Sequence, residues 1–298
     1  MTAATAGFAA PTQALQRRFD ALRQQAPELA EAIGFYAGVV PLLRAAQAGV
    51  EPLVFERADV QRKLAAGLPL LVGEALPLDG VATGRLIARL CQLIETNSRS
   101  DPEAGLRRAA ARAIRQACQR GQLDLPALWE AAAVGAGPQI ELAAARLSLD
   151  AGLLQVLLRY SLRPVLRACA QANAGAADLS RWRRGLCPWC GSPPVLAEVQ
   201  GKEGARHLRC GQCAGDWPYP RVQCAYCGNH DHHALGRLAV EGEDNKYAVQ
   251  TCDACQSYLK VVTTFEPASA DGLMLDDLTT LHLDALAQQR GFSRAGLA

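Results

Sequence analysis

Four Cys-x-x-Cys pairs, Cys187/Cys190, Cys210/Cys213, Cys224/Cys227 and Cys252/Cys255, lie in the C-terminal part of the chain and use eight of its eleven cysteines. They limit what this segment can fold into. Each pair sets two thiolates at one end of a β-hairpin, and two pairs supply the four soft ligands that Zn²⁺ or a rubredoxin-type iron takes in a tetrahedral shell. Two metal ions per chain, iron or zinc, are the expectation, with those eight cysteines as ligands.

The first two pairs have the spacing Cys-x2-Cys-x19-Cys-x2-Cys and the last two Cys-x2-Cys-x24-Cys-x2-Cys, the first within the range of zinc sites. Pro188 fixes φ inside the first turn, and Gly191 and Gly228 admit the positive φ that turns backbone N–H groups toward sulfur. Ala214 and Gln256 stand where the second turn of each site would carry that glycine. The intervening segments read as hairpins, so sequential pairing is the simpler arrangement; a cross-braced pairing of first with third and second with fourth also uses all eight thiolates. Dithiol redox chemistry normally places its pair at a helix N-terminus in a βαβ setting, which these hairpins do not provide. A closed four-thiolate shell has no open position for water or substrate, so the sites read as structural and no enzyme is expected.

Other metal-competent residues have simpler readings. His230, His232 and His233 read as a polar loop tip after a knuckle, His207 as a strand-face residue and His282 as part of a helix surface. Cys91, Cys118 and Cys169 are isolated on helices, where a free cysteine is most often a small apolar residue.

Before the cysteines, residues 12–174 are rich in Ala, Leu, Arg and Gln with apolar positions three and four apart, the periodicity of amphipathic helices. Helices are predicted over 13–25, 27–47, 57–66, 83–96, 101–120, 125–133, 139–147 and 150–172, with Asp101 and Asp150 as N-caps. Near 172–178 the composition turns to small residues and then to Cys, Gly, Pro and aromatics. The division expected is an α-helical domain over 1–178, a first four-cysteine ribbon over 179–220, a second over 221–268, and a C-terminal helix and tail over 269–298. Strands are predicted over 195–200, 206–209, 235–240, 247–251 and 258–265, with turns at 201–204 and 242–245. A last helix over 275–289 would bury Leu278, Leu281, Leu283 and Leu286. The fold class is thus all-α followed by two tandem rubredoxin-like or zinc-ribbon modules and a C-terminal helix.

Charge argues against a polyanion partner. The formal net charge is +2 over 298 residues, and residues 181–260 hold ten Lys or Arg against eight Asp or Glu, too even a balance for a phosphate-tracking surface. Arg181, Arg183 and Arg184 read as a solvated linker face, and Trp189, Trp217, Tyr219 and Tyr226 as packing for the small ribbon cores. The first residues lack the basic start of a secretory signal. The nearest approach to a spanning segment, residues 153–170, is broken by Arg159, Arg163, Pro164 and Arg167. A cytoplasmic protein without membrane insertion is expected, and in that reducing compartment paired cysteines favour metal over disulfides.

The string Cys187-Pro188-Trp189-Cys190-Gly191-Ser192-Pro193-Pro194, then Leu208-Arg209-Cys210-Gly211-Gln212-Cys213 with Trp217 and Arg221, resembles formate dehydrogenase accessory proteins of the FdhE type. Cys252-Asp253-Ala254-Cys255-Gln256-Ser257-Tyr258-Leu259-Lys260, Asp276-Asp277-Leu278 and Leu283-Asp284 resemble the C-terminal signature of that family. The likeness is specific over about 184–292 and departs at Pro218-Tyr219-Pro220. It implies a non-catalytic cytoplasmic maturation factor that binds the formate dehydrogenase catalytic subunit before twin-arginine export, with metal on the eight paired cysteines. The helices leave a homodimer open. Two alternatives are a nucleic-acid-binding zinc-ribbon protein and a rubredoxin-like redox protein.

Overall fold

The structure is a computed structural model and describes residues 13–97, 102–240, 242 and 246–295. The described residues fall into two compact units: Arg17–Leu53 with Ala75–Cys169 in one, and Val54–Glu74 with the chain from Ala170 onward in the other. Composition divides the sequence at 178. The stretch Val54–Glu74, however, folds with the cysteine-bearing unit.

The helices form where the periodicity places them: α1 Gln13–Gln25, α2 Ala30–Ala48, α3 Arg57–Ala65, α4 Gly80–Asn97, α5 Pro102–Gln119, α6 Leu125–Val134, α7 Gly137–Arg146 and α8 Ala151–Asn173. Asp150 caps α8, its carboxylate accepting from the Leu153 N–H at 2.8 Å; the Asp101 cap lies outside the described residues. Asp124 caps α6 in the same way through Ala127. In the helical unit Ile33, Val39 and Leu43 of α2, Leu86, Ile87 and Leu90 of α4, Ile114 of α5 and Leu154, Leu157 and Leu158 of α8 are buried. The helical segment long and apolar enough by composition to cross a membrane is Pro27–Ala48, not 153–170. It contains Glu28, Glu31 and Arg44, and its Ile33, Val39, Val40 and Leu43 are buried.

The second unit is built on β1 Pro194–Gln200, β2 Ala205–Cys210, β3 Asp216–Pro218, β4 Leu235–Leu238, β5 Tyr247–Cys252 and β6 Ser257–Thr264. The 242–245 turn falls largely outside the described residues. The two ribbons do not stay separate. Parallel pairing of β1 with β6 joins them in one six-stranded sheet of order β3-β2-β1-β6-β5-β4, every other neighbour antiparallel.

The expected C-terminal helix is two helices, α9 Ala270–Thr279 and α10 Leu281–Gln289. The break is at Thr280, whose hydroxyl donates to the Asp276 carbonyl at 2.7 Å, a back-bond that competes with helix continuation. Leu278 and Leu283 are buried and Leu286 packs partly buried against the Val249, Tyr258, Leu283 and Ala287 cluster, but Leu281 is 40% exposed. A 3.6-residue count carried unbroken across Thr280 misplaces Leu281.

One sheet face lies against these helices and carries paired charges. Buried Lys260 donates to Asp277 and Asp284, each at 2.7 Å, and Arg294 donates to Asp277 at 2.6 Å. Buried Glu198 pairs with Arg209, and His207 bonds Asp216.

Candidate metal centres

Local backbone geometry builds each knuckle. In the first, the Gly191 N–H donates to the Cys187 carbonyl and the Cys187 N–H to the Ser192 carbonyl, both at 2.9 Å; in the third, the Gly228 N–H reaches Cys224 at 3.1 Å and the Cys224 N–H reaches Asn229 at 2.7 Å. Gly191 and Gly228 adopt φ of 76° and 75°. The second and fourth knuckles need the same left-handed residue and use Ala214 at φ 60° and Gln256 at φ 52°. All four turns therefore share one geometry, though only two carry the glycine that signals it.

The sulfurs gather sequentially. Cys187, Cys190, Cys210 and Cys213 form one tetrad and Cys224, Cys227, Cys252 and Cys255 the other, with all Sγ atoms of each within 4.8 Å of one another. Cys187 faces Cys213 at 3.4 Å and Cys190 faces Cys210 at 3.5 Å. The second tetrad repeats the pattern, Cys224 to Cys255 and Cys227 to Cys252 both at 3.7 Å. A tetrahedron with metal–sulfur bonds near 2.3 Å has sulfur–sulfur edges of about 3.8 Å. Both tetrads fit a four-thiolate ion with little adjustment.

Electrostatics point the same way. Burial pushes the Cys187 and Cys213 thiols far up, while neighbouring thiols donating to Cys190 hold that one far down. Burial likewise raises Cys224 to about 12 and raises Cys255; at Cys252 burial acts upward too, but the Cys255 and Ala254 N–H groups and the Cys227 thiol outweigh it and lower the group. Sulfurs this close do not all ionise in a dry site without a cation to offset them. Backbone N–H groups of Gln212 and Cys213 aim at the Cys210 sulfur at 3.4 and 3.5 Å, and that of Tyr226 at the Cys224 sulfur at 3.4 Å, the outer contacts that orient thiolate ligands.

The tetrads differ in exposure. All four sulfur residues of the first are buried; in the second Cys227 is exposed and Cys255 half-buried. The first is also braced by a segment far away in sequence. Leu70 and Leu71 donate their N–H groups to the Pro188 and Trp189 carbonyls, both at 2.8 Å, and Val72 and Pro69 pack so close to Gly191 that a Cβ there would lie 2.9 Å from Val72 Cγ2. Nothing in the 54–74 sequence announces this role.

The remaining candidates stay outside the tetrads. His230, His232 and His233 are exposed, and Asp231 caps the short turn that holds the last two. Asp231, His232 and His233 do form a third, exposed group whose ligand atoms lie within 4.8 Å. His207 is engaged by Asp216, and His282 is exposed on α10. Burial raises Cys91 to about 12 and Cys118 to about 11, so both are neutral thiols, and the buried Cys169 accepts from the Leu53 N–H. Arg183 and Arg184 donate to the carbonyls of Ser180 and Gly67. Trp189, Trp217 and Tyr219 are buried, and the Tyr219 hydroxyl donates to the Cys224 carbonyl at 3.0 Å.

A sheet made of two fused ribbons, each ending in a four-sulfur tetrad, joined in one chain to a helical unit, defines a class: an α-helical protein with a paired four-cysteine metal module. Residues 186–221 match the family model for the FdhE central domain and residues 222–298 that for the FdhE C-terminal domain. Over residues 186–298 the chain is thus similar to the central and C-terminal domains of FdhE proteins. A curated FdhE homolog of Aquifex aeolicus is 34% identical over 152 residues, 48% of this chain and 52% of that protein. Another, of Pseudomonas aeruginosa, is 40% identical over 117 residues, 37% of this chain and 38% of that protein. The matched segments thus span about half or less of these relatives. The crystal structure of the FdhE protein from Pseudomonas aeruginosa shares the fold, with a TM-score of 0.62 at 23% identity over 94% of this chain and 93% of that chain.

Proposed function

We propose that this protein is a maturation factor for formate dehydrogenase that binds the catalytic subunit in the cytoplasm before twin-arginine export, and that its eight paired cysteines hold two metal ions, iron or zinc. The observation that carries the reading is the run of matches to the FdhE central and C-terminal domains across residues 186–298, which contain every cysteine of both tetrads. The closed sulfur shells support a non-catalytic role, since four thiolates leave no coordination position for substrate. Coordination by four thiolates would add to the folding free energy that the apolar packing of the fused sheet supplies.

A holding role needs an apolar face, and the helical unit has one. A cleft of about 680 Å³ opens among α2, α4, α5 and α8, lined by Phe35, Tyr36, Ile94, Leu106, Val156 and Tyr160. Leu106 is 74% exposed and Val156 46%, apolar side chains available to a partner, with Glu28, Glu31, Arg107 and Asp150 also lining the cleft. The test is affinity purification under anaerobic respiration. Wild type retains the formate dehydrogenase catalytic subunit and a Leu106→Asp/Val156→Asp variant of unchanged thermal stability loses most of it; wild type that never retains the subunit would refute the proposal.

A redox role has one specific observation in its favour, the exposure of Cys227 in the second tetrad, through which iron there would meet solvent. Reversible one-electron titration of the iron-loaded protein distinguishes it.

A further inference from the structure

Alternation along the strands sorts the charges of the six-stranded sheet. Glu198, Arg209 and Lys260 point to the face that carries the ion pairs, and there each cation meets a carboxylate. The opposite face differs. Val199, Arg206, Thr263, Val261, Ala248, Gln250 and Arg237 share it, as the pairings Val199 to Arg206, Val199 to Thr263, Ala248 to Val261 and Gln250 to Arg237 require. It forms the floor of a cleft of about 480 Å³, to which Arg221 and Lys246 add two more cations. Four cations and no carboxylate line this cleft among the described residues; Glu241, Glu243 and Asp244 of the β4–β5 turn lie outside them.

Arg206 makes the arrangement more than a solvated basic patch. It is 4% exposed, it donates through Nη1 to the Pro220 and Gln223 carbonyls at 2.7 and 2.8 Å, and its buried Nε has no hydrogen-bond partner. No carboxylate compensates it. Burial lowers its pKa to about 10, which leaves it charged at neutral pH. The Tyr219 ring, 5.4 Å from the guanidinium, and the nearby Cys224 sulfur offset part of the cost of burying it without a carboxylate, and an anion in the cleft would offset more. Arg221 is tethered at the Gly204 carbonyl, while Arg237 and Lys246 make no ion pair among the described residues. Arg206 and Lys246 are separated by three strand spacings, roughly 14 Å, with Val199 and Val261 on the strands between them.

We propose that this cleft binds a small phosphate-bearing molecule, its phosphates held by Arg206, Arg221, Arg237 and Lys246 and its less polar part on the valine floor. Guanidinium forks match phosphate oxygens two at a time. The volume falls in the range of small-ligand pockets, about 300–1,000 Å³. An adjoining cleft of about 270 Å³ shares Arg206, Arg221, Arg237 and Gln250 and continues to Tyr226 and Ser257, so a ligand longer than one phosphate group is accommodated. The near-neutral charge of the whole chain favours a compact anion over a nucleic-acid strand. The proposal stands independently of the maturation reading.

Isothermal titration of the full-length, metal-loaded protein with pyrophosphate and with ADP tests it. Saturable binding at one site per chain is expected, weakened at least tenfold in Arg237→Glu/Lys246→Glu at wild-type metal content and thermal stability. Arg237→Gln alone, a milder change at an exposed residue, is expected to weaken binding severalfold and serves if the double variant misfolds. No saturable binding, or equal binding by the variants, would overturn the assignment. So would binding of a single-stranded oligonucleotide or an oligoglutamate peptide that pyrophosphate does not displace.

Discussion

Left-handed backbone at four equivalent positions is the residue-scale signature of the metal module. Gly191 and Gly228 adopt it freely, whereas Ala214 and Gln256 carry a Cβ into a conformation that costs about 1 kcal/mol or more for an L-residue. Ala214→Gly is therefore expected to be neutral or to stabilise by up to about 1 kcal/mol, and Gly191→Ala, which adds the clash with Val72, to destabilise by more than 1 kcal/mol. Urea unfolding at constant metal loading checks both; a loss on Ala214→Gly equal to that of Gly191→Ala would contradict the shared knuckle geometry. The gathering of the eight cysteines into two tetrads was legible in the sequence because their residue type and spacing are local features. Ala214 and Gln256 were not, because a left-handed residue that is not glycine leaves no compositional mark. The charge pairs were equally hidden: Lys260, Asp277, Asp284 and Arg294 are distant in sequence, and only the sheet and the turn at Thr280 bring them together. Lys260→Met would leave two carboxylates sharing Arg294 in a mostly buried site and is expected to cost about 3–5 kcal/mol. Burial pushes the Asp277 carboxyl up, but Lys260 and Arg294 outweigh it and hold it below the usual 3.8. A depressed folded value means a contribution present in full above the unfolded value and lost as pH falls through the folded one. The stability gap between wild type and Asp277→Asn should thus be wide at pH 7 and narrow through the acid carboxylate range; a gap independent of pH would refute the pairing.

Among the elements, the helices were legible because amphipathic periodicity is local, and each predicted span up to residue 173 coincides with a helix within a few residues. Strands β1, β2, β4, β5 and β6 were legible from their turns, whereas the three-residue β3, paired with β2, was not. Two longer-range features were hidden as well. Parallel pairing of β1 with β6 fuses the ribbons, and no local pattern encodes a pairing between strands about 60 residues apart. The bracing of the first knuckle by Leu70 and Leu71 is likewise a long-range fact, invisible in a segment that otherwise reads as a loop after α3. Leu70 is fully buried, so Leu70→Ala is expected to cost about 2–5 kcal/mol. Because the residue supports the first knuckle, the variant should also release metal from the first tetrad faster. Unchanged metal retention would show that the segment merely packs nearby.

For the whole molecule, one sheet holds two tetrads with unequal protection. The first is buried throughout and the second opens at Cys227 and Cys255. Challenge with a chelator is therefore expected to remove one metal equivalent quickly and the other slowly, with Cys227→Ser abolishing the fast phase. Metal per chain, counted by native mass spectrometry on anaerobically purified protein and on Cys187→Ser and Cys252→Ser variants, tests the two-ion reading. Two ions are expected on wild type and one on each variant that remains folded, with four sulfurs around each ion by X-ray absorption. A wild-type chain that folds to the same stability with no metal, or that keeps both ions in the variants, would contradict it.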